Sequence, residues 1–425
     1  MKQVTDQFSL DAWLTWIEQC HPAEIELGLG RVSQVAQRLG VLKLNSRIVT
    51  VAGTNGKGST VTYLEAMLRN AGYTVGCFTS PHFRHYNERV RLNAENVSDE
   101  MLCQAFRAIN EARGDIALTY FEYGTLAALV IFQQQAPDVV LLEVGLGGRL
   151  DAVNIIDADV SVVTSIALDH IDWLGDNREI IGREKCGIFR QDKPAVCGDS
   201  EPTQSVSEVA AETGAQLYQV GQQFNYQIHD GRWDWQGVCP VGESLQLTDL
   251  PLPGLPLPNA ATALQVLAVL GLAVSVEAIH QGLEQAAMTG RMQPVELDNG
   301  TCWLDVAHNP EAAGLLAKRL QAKGQDVHLV LGMLGDKDFA TVIDILRPQI
   351  KHWYLADLNV SRGQKATTLA ENLDAEVQAG CCDMFDSVAA ALEAARAHLN
   401  PDNCLLVAGS FYTVSDALDH LGVSG

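Results

Sequence analysis

The stretch "IVTVAGTNGKGSTVTYLEAML" (48–68) limits the possible fold more than any other part of the chain. "IVTVA" is a nearly continuous apolar run, the pattern of a short strand with helices packed on both faces. A glycine-rich turn follows, then a helical pattern, "STVTYLEAMLRNAG", that stops at Gly72. A strand that feeds a helix through a tight turn belongs in a mainly parallel α/β sheet. The free N–H groups and positive dipole end of that helix face the turn and favour a bound phosphate. The turn nevertheless departs from the usual G-x-x-x-x-G-K-[ST] spacing. Gly53 stands only three residues before Gly56-Lys57, and Gly58 fills the position whose hydroxyl would hold magnesium. Any metal here needs oxygen ligands from another part of the chain.

The pattern of strand and helix continues. "YTVGCFTS" (73–80), "DVVLLEVG" (138–145), "DVSVVTSIA" (159–167) and "KPAVCG" (193–198) read as further strands, with helical patterns between them. From 200 to 250 the signal weakens into short polar segments. The Pro-rich "PLPGLPLPNAATALQVLAVLG" then ends in a clear helix, with Asn259 as the expected N-cap. A second series begins after "TGRMQPVE", with strands expected at "TCWLDVA", "DVHLVLGML", "HWYLADL" and "NCLLVAGS". A chain of 425 residues is too long for one core. The expected division is 1–290, a phosphate-loop domain with a mainly parallel helix-covered sheet, and 297–425, a smaller Rossmann-like α/β domain.

A net charge of −23 argues against nucleic-acid or anionic-membrane binding. The first residues lack the basic start and apolar core of a signal peptide, and "TLAALVIF" (125–132) is too short to span a bilayer. The ten cysteines include no C-x-x-C pair, so reduced and mostly buried thiols in a cytoplasmic protein are expected. In so acidic a chain, anionic substrates must meet local positive features. "SPHFRHYNERVRL" (80–92) gathers His82, Arg84, His85, Arg89 and Arg91 and reads as an anion-steering rim.

Ten ordered blocks resemble the folylpolyglutamate synthase family, relatives of the muramyl ligases, and in particular its bacterial bifunctional branch. Besides the loop string "TVAGTNGKGST", they are "ELGLGRV", "SPHFRHYNERVRL", "TYFEYGTLAAL", "LEVGLGGRLDAVNI", "TSIALDHIDWLG", "GREKCGIFR", "PLPNAATAL", "GRMQPVE", "DVAHNP" and "VAGSFYTVSD". The resemblance implies an ATP-dependent ligase with the domain order already inferred. It would join L-glutamate to dihydropteroate, giving dihydrofolate, and to reduced folates, giving polyglutamates. Amide formation from a carboxylate needs an activated carboxyl, and an acyl phosphate made from ATP supplies one. Such phosphoryl transfer calls for phosphate cradling, metal and positioning more than for a protein nucleophile.

The resemblance also implies roles for individual residues. Thr54, Asn55, Gly56, Lys57, Gly58 and Ser59 cradle the phosphates, and Asn259, Arg291 and Asp305 complete the ATP site. Ser80, Glu143 and His170 hold magnesium, two ions in all, with potassium as a further cation. Ser80 and Glu143 both end predicted strands, where open α/β sheets gather ligands. Lys185 is carbamylated in this family; Cys186 stands beside it where alanine is common. Lys57, His170, Lys185 and His308 are the catalytic set, and His308 and Ser410 face glutamate. The pterin segments are Ile25, Glu26, Leu27 and Gly28; Thr119, Tyr120, Phe121 and Glu122; and Leu150, Asp151 and Ala152. Phe121 is the candidate to stack on the flat ring. Gly30 replaces an acidic residue common in the first of these blocks. The family pattern suggests a monomer.

Three other readings differ in observable ways. A folylpolyglutamate synthase without the first activity would ignore dihydropteroate. A muramyl ligase would carry a further N-terminal domain, whereas only about fifty residues precede this loop. An ATP-binding regulator without catalysis would have no use for Lys57, Glu143, His170 and Lys185 together.

Overall fold

The structure is a computed structural model that describes residues 8–21, 26–360 and 362–423. Ile25, named among the pterin segments, lies outside the described residues. The chain divides into two compact units, Met1–Ala286 and Ala287–Gly425.

The first unit is built on eight strands: β1 (Arg47–Ala52), β2 (Val75–Phe78), β3 (Val90–Leu92), β4 (Glu95–Asn96), β5 (Val139–Glu143), β6 (Val160–Val163), β7 (Pro194–Cys197) and β8 (Gln216–Gln219). Their order is β4-β3-β2-β5-β1-β6-β7-β8. All pairings from β2 across to β8 are parallel, and β3 and β4 add an antiparallel edge. β2, β5 and β6 are buried at every residue, as parallel strands covered on both faces must be. β1 lies at the centre, between β5 and β6, so the loops that leave all three strands converge on one edge. The helix Tyr120–Gln135 is buried continuously from Glu122 to Phe132, which accounts for its apolar residues on every side.

The weak stretch from 200 to 250 holds the helix Gln204–Thr213, β8 and a separate antiparallel sheet. That sheet comprises β9 (Asn225–His229), β10 (Arg232–Val238) and β11 (Ser244–Pro251). Only β10 alternates cleanly, burying Trp233 and Trp235 while its neighbours stay largely exposed, so the pattern is faint in the sequence. Each indole finds a carbonyl: Trp233 Nε1 donates to Pro251 O at 2.9 Å, and Trp235 Nε1 to Ala261 O at 3.1 Å. The latter carbonyl belongs to the helix Leu257–Leu270, whose N-cap is Pro256 and not the expected Asn259. Pro258 suits the first helical turn, where its missing N–H is no loss, and the helix therefore starts before Asn259.

The second unit carries β12 (Gln293–Leu297), β13 (Gly300–Asp305), β14 (Asp326–Leu331), β15 (Ile350–Ala356), β16 (Cys382–Phe385) and β17 (Asn403–Ala408). The order is β12-β13-β17-β14-β15-β16, parallel apart from the β12–β13 hairpin. β12 falls within 290–297, the stretch expected to form the domain boundary, and β16 was also not anticipated. Both are edge strands with exposed residues, which blurs their apolar pattern. All ten cysteines are free thiols, and most are buried. No helix among the described residues is long and apolar enough to cross a membrane.

Gln265 shows how the three-stranded sheet is tied down. Its fully buried amide donates to Val238 O at 2.7 Å and accepts from Val238 N at 3.3 Å. Gln265→Leu keeps the bulk but orphans both backbone groups, so we expect a loss of about 2 kcal/mol in denaturant unfolding. Amide exchange should quicken first in β10.

Candidate active site

β1 runs directly into the phosphate loop, and the segment after β6 clasps that loop. Thr54 N donates to Ser165 O at 2.8 Å, and Asn55 N to Ser165 Oγ at 3.1 Å. Thr164 Oγ1 donates to Asn55 O at 2.6 Å. The Thr54 hydroxyl donates to Ala167 O at 3.2 Å and accepts from Ala167 N at 3.0 Å. Gly53 makes this approach possible: its φ is +150°, and a Cβ there would lie 1.9 Å from Thr164 Oγ1. The helix Lys57–Asn70 starts at the loop with Gly58 and Ser59 in its first turn. Lys57 Nζ folds back over the loop, donating to Gly53 O at 2.9 Å and Thr54 O at 3.2 Å. The Asn259 carboxamide lies against Gly56. Thr164, Ser165 and Ala167 were missed as site residues, although they lie in the "TSIALDHIDWLG" block at the carboxyl end of a predicted strand.

Ser80 and Glu143 come together beside this loop. Glu143 ends β5 in register with Val51 of β1, and its buried carboxylate accepts from Ser80 N at 3.2 Å. His170 follows the clasping segment. It is exposed, adopts a left-handed φ of +51°, and its carbonyl accepts from Trp173 N and Leu174 N. Among the described residues, no three His, Cys, Asp or Glu side chains form a group that could hold a metal ion. A pair such as Ser80 and Glu143 suits a hard cation that takes few protein oxygens and keeps waters or binds substrate phosphate.

Lys185 is buried near the end of the helix Arg178–Cys186. That helix end packs on the loop that leaves Glu143: Arg149 N donates to Glu184 O at 2.8 Å. A Cβ on Gly148 would meet Lys185 O at 2.7 Å, so only glycine permits the contact.

The three segments expected to bind the pterin also converge. Gly28 N donates to Leu150 O at 3.4 Å, which joins the first to the third. In the second, Thr119 and Glu122 form a capping box: Glu122 N donates to Thr119 Oγ1, and Thr119 N to the Glu122 carboxylate. The Phe121 ring packs between Gly145 and Phe78, its centroid 5.7 Å from that of Phe78. Tyr120 is half-buried against Tyr86. Leu27 is half-buried, Glu26 exposed and Ala152 buried. Asp151 accepts from Gly145 N, Leu146 N and Val153 N at 3.0, 2.8 and 3.0 Å. Burial pushes its carboxyl up to about 6, against those hydrogen bonds and the nearby Lys57 charge.

The basic rim is narrower than its sequence suggests. Arg91 is turned inward, with Nη2 2.9 Å from Glu65 Oε2 and Nη1 3.1 Å from Thr79 Oγ1. Arg89 donates from Nε to His82 Nδ1 at 2.8 Å and lies over the rings of Tyr86 and Tyr120. Burial and Arg89 hold His82 down at about 4, so it carries no charge at neutral pH. His85 is exposed and Arg84 half-buried.

In the second unit, Asp305 ends β13 beside Ala408 of β17, and Ser410 follows β17 as the N-cap of the helix Phe411–Leu421. The buried Asp305 carboxylate accepts from Met292 N and Ala307 N, each at 2.9 Å. Burial raises its pKa, while Arg291 opposes the rise. The Arg291 guanidinium and the His308 ring lie 5.8 and 6.3 Å from the Phe411 ring centroid. Arg291, Asp305, His308 and Ser410 thus gather at one edge of this sheet.

Two family models match: Mur ligase middle domain over residues 51–254, and Mur ligase, glutamate ligase domain over 290–411. The chain is 49% identical over 412 residues to the dihydrofolate synthase/folylpolyglutamate synthase of Escherichia coli, covering 96% of this chain and 95% of that one. A solved structure of the E. coli protein in complex with DHPP and ADP superposes with a TM-score of 0.94 at 48% identity, covering 99% of both chains. A bifunctional folylpolyglutamate synthase/dihydrofolate synthase solved with Mn, AMPPNP and L-glutamate bound gives 0.92 at 47% identity, covering 99% of this chain and 100% of that one.

The raised carboxyl of Asp151 makes a signed prediction. In the unfolded chain it ionises near pH 4, and in the folded chain at about 6. Between these values the folded state holds the extra proton, so stability from this group is greatest at low pH and falls as pH rises through 6. Measured against Asp151→Asn, the parent should lose about 3 kcal/mol between pH 4 and 7. A difference independent of pH would contradict it.

Proposed function

The chain belongs to the dihydrofolate synthase/folylpolyglutamate synthase family of Mur ligases, and from that membership we propose how its residues divide the work of an ATP-dependent glutamate ligase. The substrates are ATP, L-glutamate, and either dihydropteroate or a reduced folate. A carboxylate oxygen of the pterin acid attacks the γ-phosphorus of ATP, forming an acyl phosphate and releasing ADP. The amine of glutamate then attacks the acyl carbon, expels inorganic phosphate and gives up a proton, leaving the amide.

The observation that carries this reading is the link between the two halves of the site in the first unit. The clasped phosphate loop after β1 bears Lys57, and the loop that leaves the adjacent β5 holds Asp151 of the third pterin segment through Gly145 N and Leu146 N. The carboxylate to be activated would therefore meet the γ-phosphate beside Lys57. Of the expected Thr54–Ser59 cradle, the Thr54 and Asn55 N–H groups are taken up by Ser165, so the cradle's N–H donors are assigned from Gly56 onward. Asn259 against Gly56 would border the ATP, and Arg291 and Asp305 keep the assignment to ATP that the family resemblance implies. His308 and Ser410 are assigned to glutamate. Ser80, Glu143 and His170 would hold magnesium, two ions in all, with potassium as an additional cation. When bound, these ions neutralise phosphate charge and bring the reacting oxygens into line.

Lys185 is assigned a carbamate, formed when its neutral amine adds to CO2 and loses a proton. Its buried position beside the loop that leaves Glu143 supports this. The free thiols and the need for ATP favour a cytoplasmic enzyme, which we take to be a monomer.

The direct test is phosphate release that requires glutamate and dihydropteroate together. No such release, with ATP bound, would leave an ATP-binding regulator. Release with reduced folates alone would leave a polyglutamate synthase. Lys57→Ala should lower both activities by about 10²–10³-fold, because they share one phosphoryl transfer. Phe121→Ala should impair dihydropteroate turnover more than polyglutamate extension, and equal losses would remove Phe121 as a pterin contact.

The carbamate makes a second prediction. Lys185→Ala should lose about 10²-fold in turnover while keeping ATP affinity, with partial rescue by small carboxylates. Lys185→Arg should not rescue, since it keeps the cation. An active crystal grown with bicarbonate and showing a bare lysine would rule the carbamate out.

A further inference from the structure

Arg31 has been given no role so far, yet its guanidinium joins two of the three pterin segments. It lies in the first turn of the helix Gly30–Leu39, mostly buried. Its Nε donates to Glu122 Oε2 at 3.0 Å. Its Nη1 and Nη2 donate to the carboxylate and the backbone carbonyl of Glu26. The outer oxygen of Glu26 meets His21 Nε2 at 3.0 Å.

Glu122 gives the contact its weight. The side chain is buried at 3% exposure, and Oε2 also accepts from Thr119 N at 2.8 Å, closing the cap of the helix Tyr120–Gln135. Its other oxygen, Oε1, is buried without a hydrogen-bond partner. A carboxylate in that state depends on a nearby cation. Arg31 supplies the charge through Nε and uses the remaining nitrogens to hold Glu26. Since Gly28 N bonds Leu150 O, the tether from Arg31 passes on to the third segment.

We propose that Arg31 is a positioning residue for dihydropteroate: it fixes the Glu26–Gly28 segment against the cap of the Phe121 helix and so sets the shape of the pterin subsite. This rests on reading those three segments as the pterin site. The planar fork is what the role requires, because a lysine neutralises Glu122 as a point charge but cannot also span to Glu26.

The test is steady-state kinetics on the full chain with dihydropteroate, ATP and glutamate each varied, together with thermal melting. Arg31→Lys should melt close to the parent, raise KM for dihydropteroate about tenfold, and leave KM for ATP and kcat within about twofold. Glu26→Ala removes only the outer carboxylate arm at an exposed position, so it remains informative if the lysine variant fails to fold. It should move KM for dihydropteroate in the same direction. An unchanged dihydropteroate KM in a folded variant, or a KM for ATP that rises in parallel, would overturn the inference. A parent without dihydropteroate-dependent turnover would overturn the site reading itself.

Discussion

The phosphate loop has its shape because another strand holds it. A loop that binds an anion with its own N–H groups cannot spend all of them on itself, so something else must fix its carbonyls and flanks. Here the segment after β6 does so through Thr164, Ser165 and Ala167, with hydrogen bonds of 2.6 to 3.2 Å to Thr54 and Asn55. The clasp requires β6 to lie beside β1 and requires a residue without a side chain at Gly53. His170 follows the same segment, so the bonds that shape the loop also set where that imidazole emerges.

Charge is managed locally within a chain whose total is strongly negative. The buried acids near the loop are not equivalent. Glu143 faces Ser80 N at the end of a strand, whereas Asp151 is enclosed by three backbone N–H groups and still ionises only near 6 because it is out of water. Arg91, which reads as a surface cation, is spent on Glu65 and Thr79 inside the protein. His82 is kept neutral by its burial and by Arg89. The positive charge left for anionic substrates is therefore concentrated at a few places, Lys57 foremost.

Legibility in the sequence followed the strength of each physical signal. The central strands showed themselves because strands buried on both faces must be largely apolar, as "VVLL" is before Glu143. β10 escaped notice because only one face of a small sheet is covered, and β12 and β16 because edges tolerate polar residues. The expected cap at Asn259 failed against Pro258, whose ring fits the first turn regardless of the residue after it. Strand ends are legible as positions, which agreed with the family resemblance that singled out Ser80 and Glu143, but contacts between distant segments are not. The clasp of Thr164 and Ser165 on the loop and the inward turn of Arg91 depend on partners far away in sequence, and no periodicity encodes them.

The missing hydroxyl at Gly58 changes what controls the proposed metal site. In the usual loop the ligand rides on the same turn that binds phosphate, so loop and metal move together. In this chain the candidates stand on β5 and just beyond β2, two parallel strands paired from Val75–Val139 to Phe78–Leu142. β5 is in turn paired with β1 through Val51–Glu143. The separation of metal and phosphate is then set by strand register, which the buried faces hold to a single value. A slip of one residue would turn Glu143 to the opposite face of the sheet and bury a neighbour's apolar side chain wrongly at the same time. On the proposed assignment, the sheet takes over a task that a side chain on the loop performs elsewhere. It can do so because β2, β5 and β1 are adjacent and all three point their carboxyl ends at the same edge.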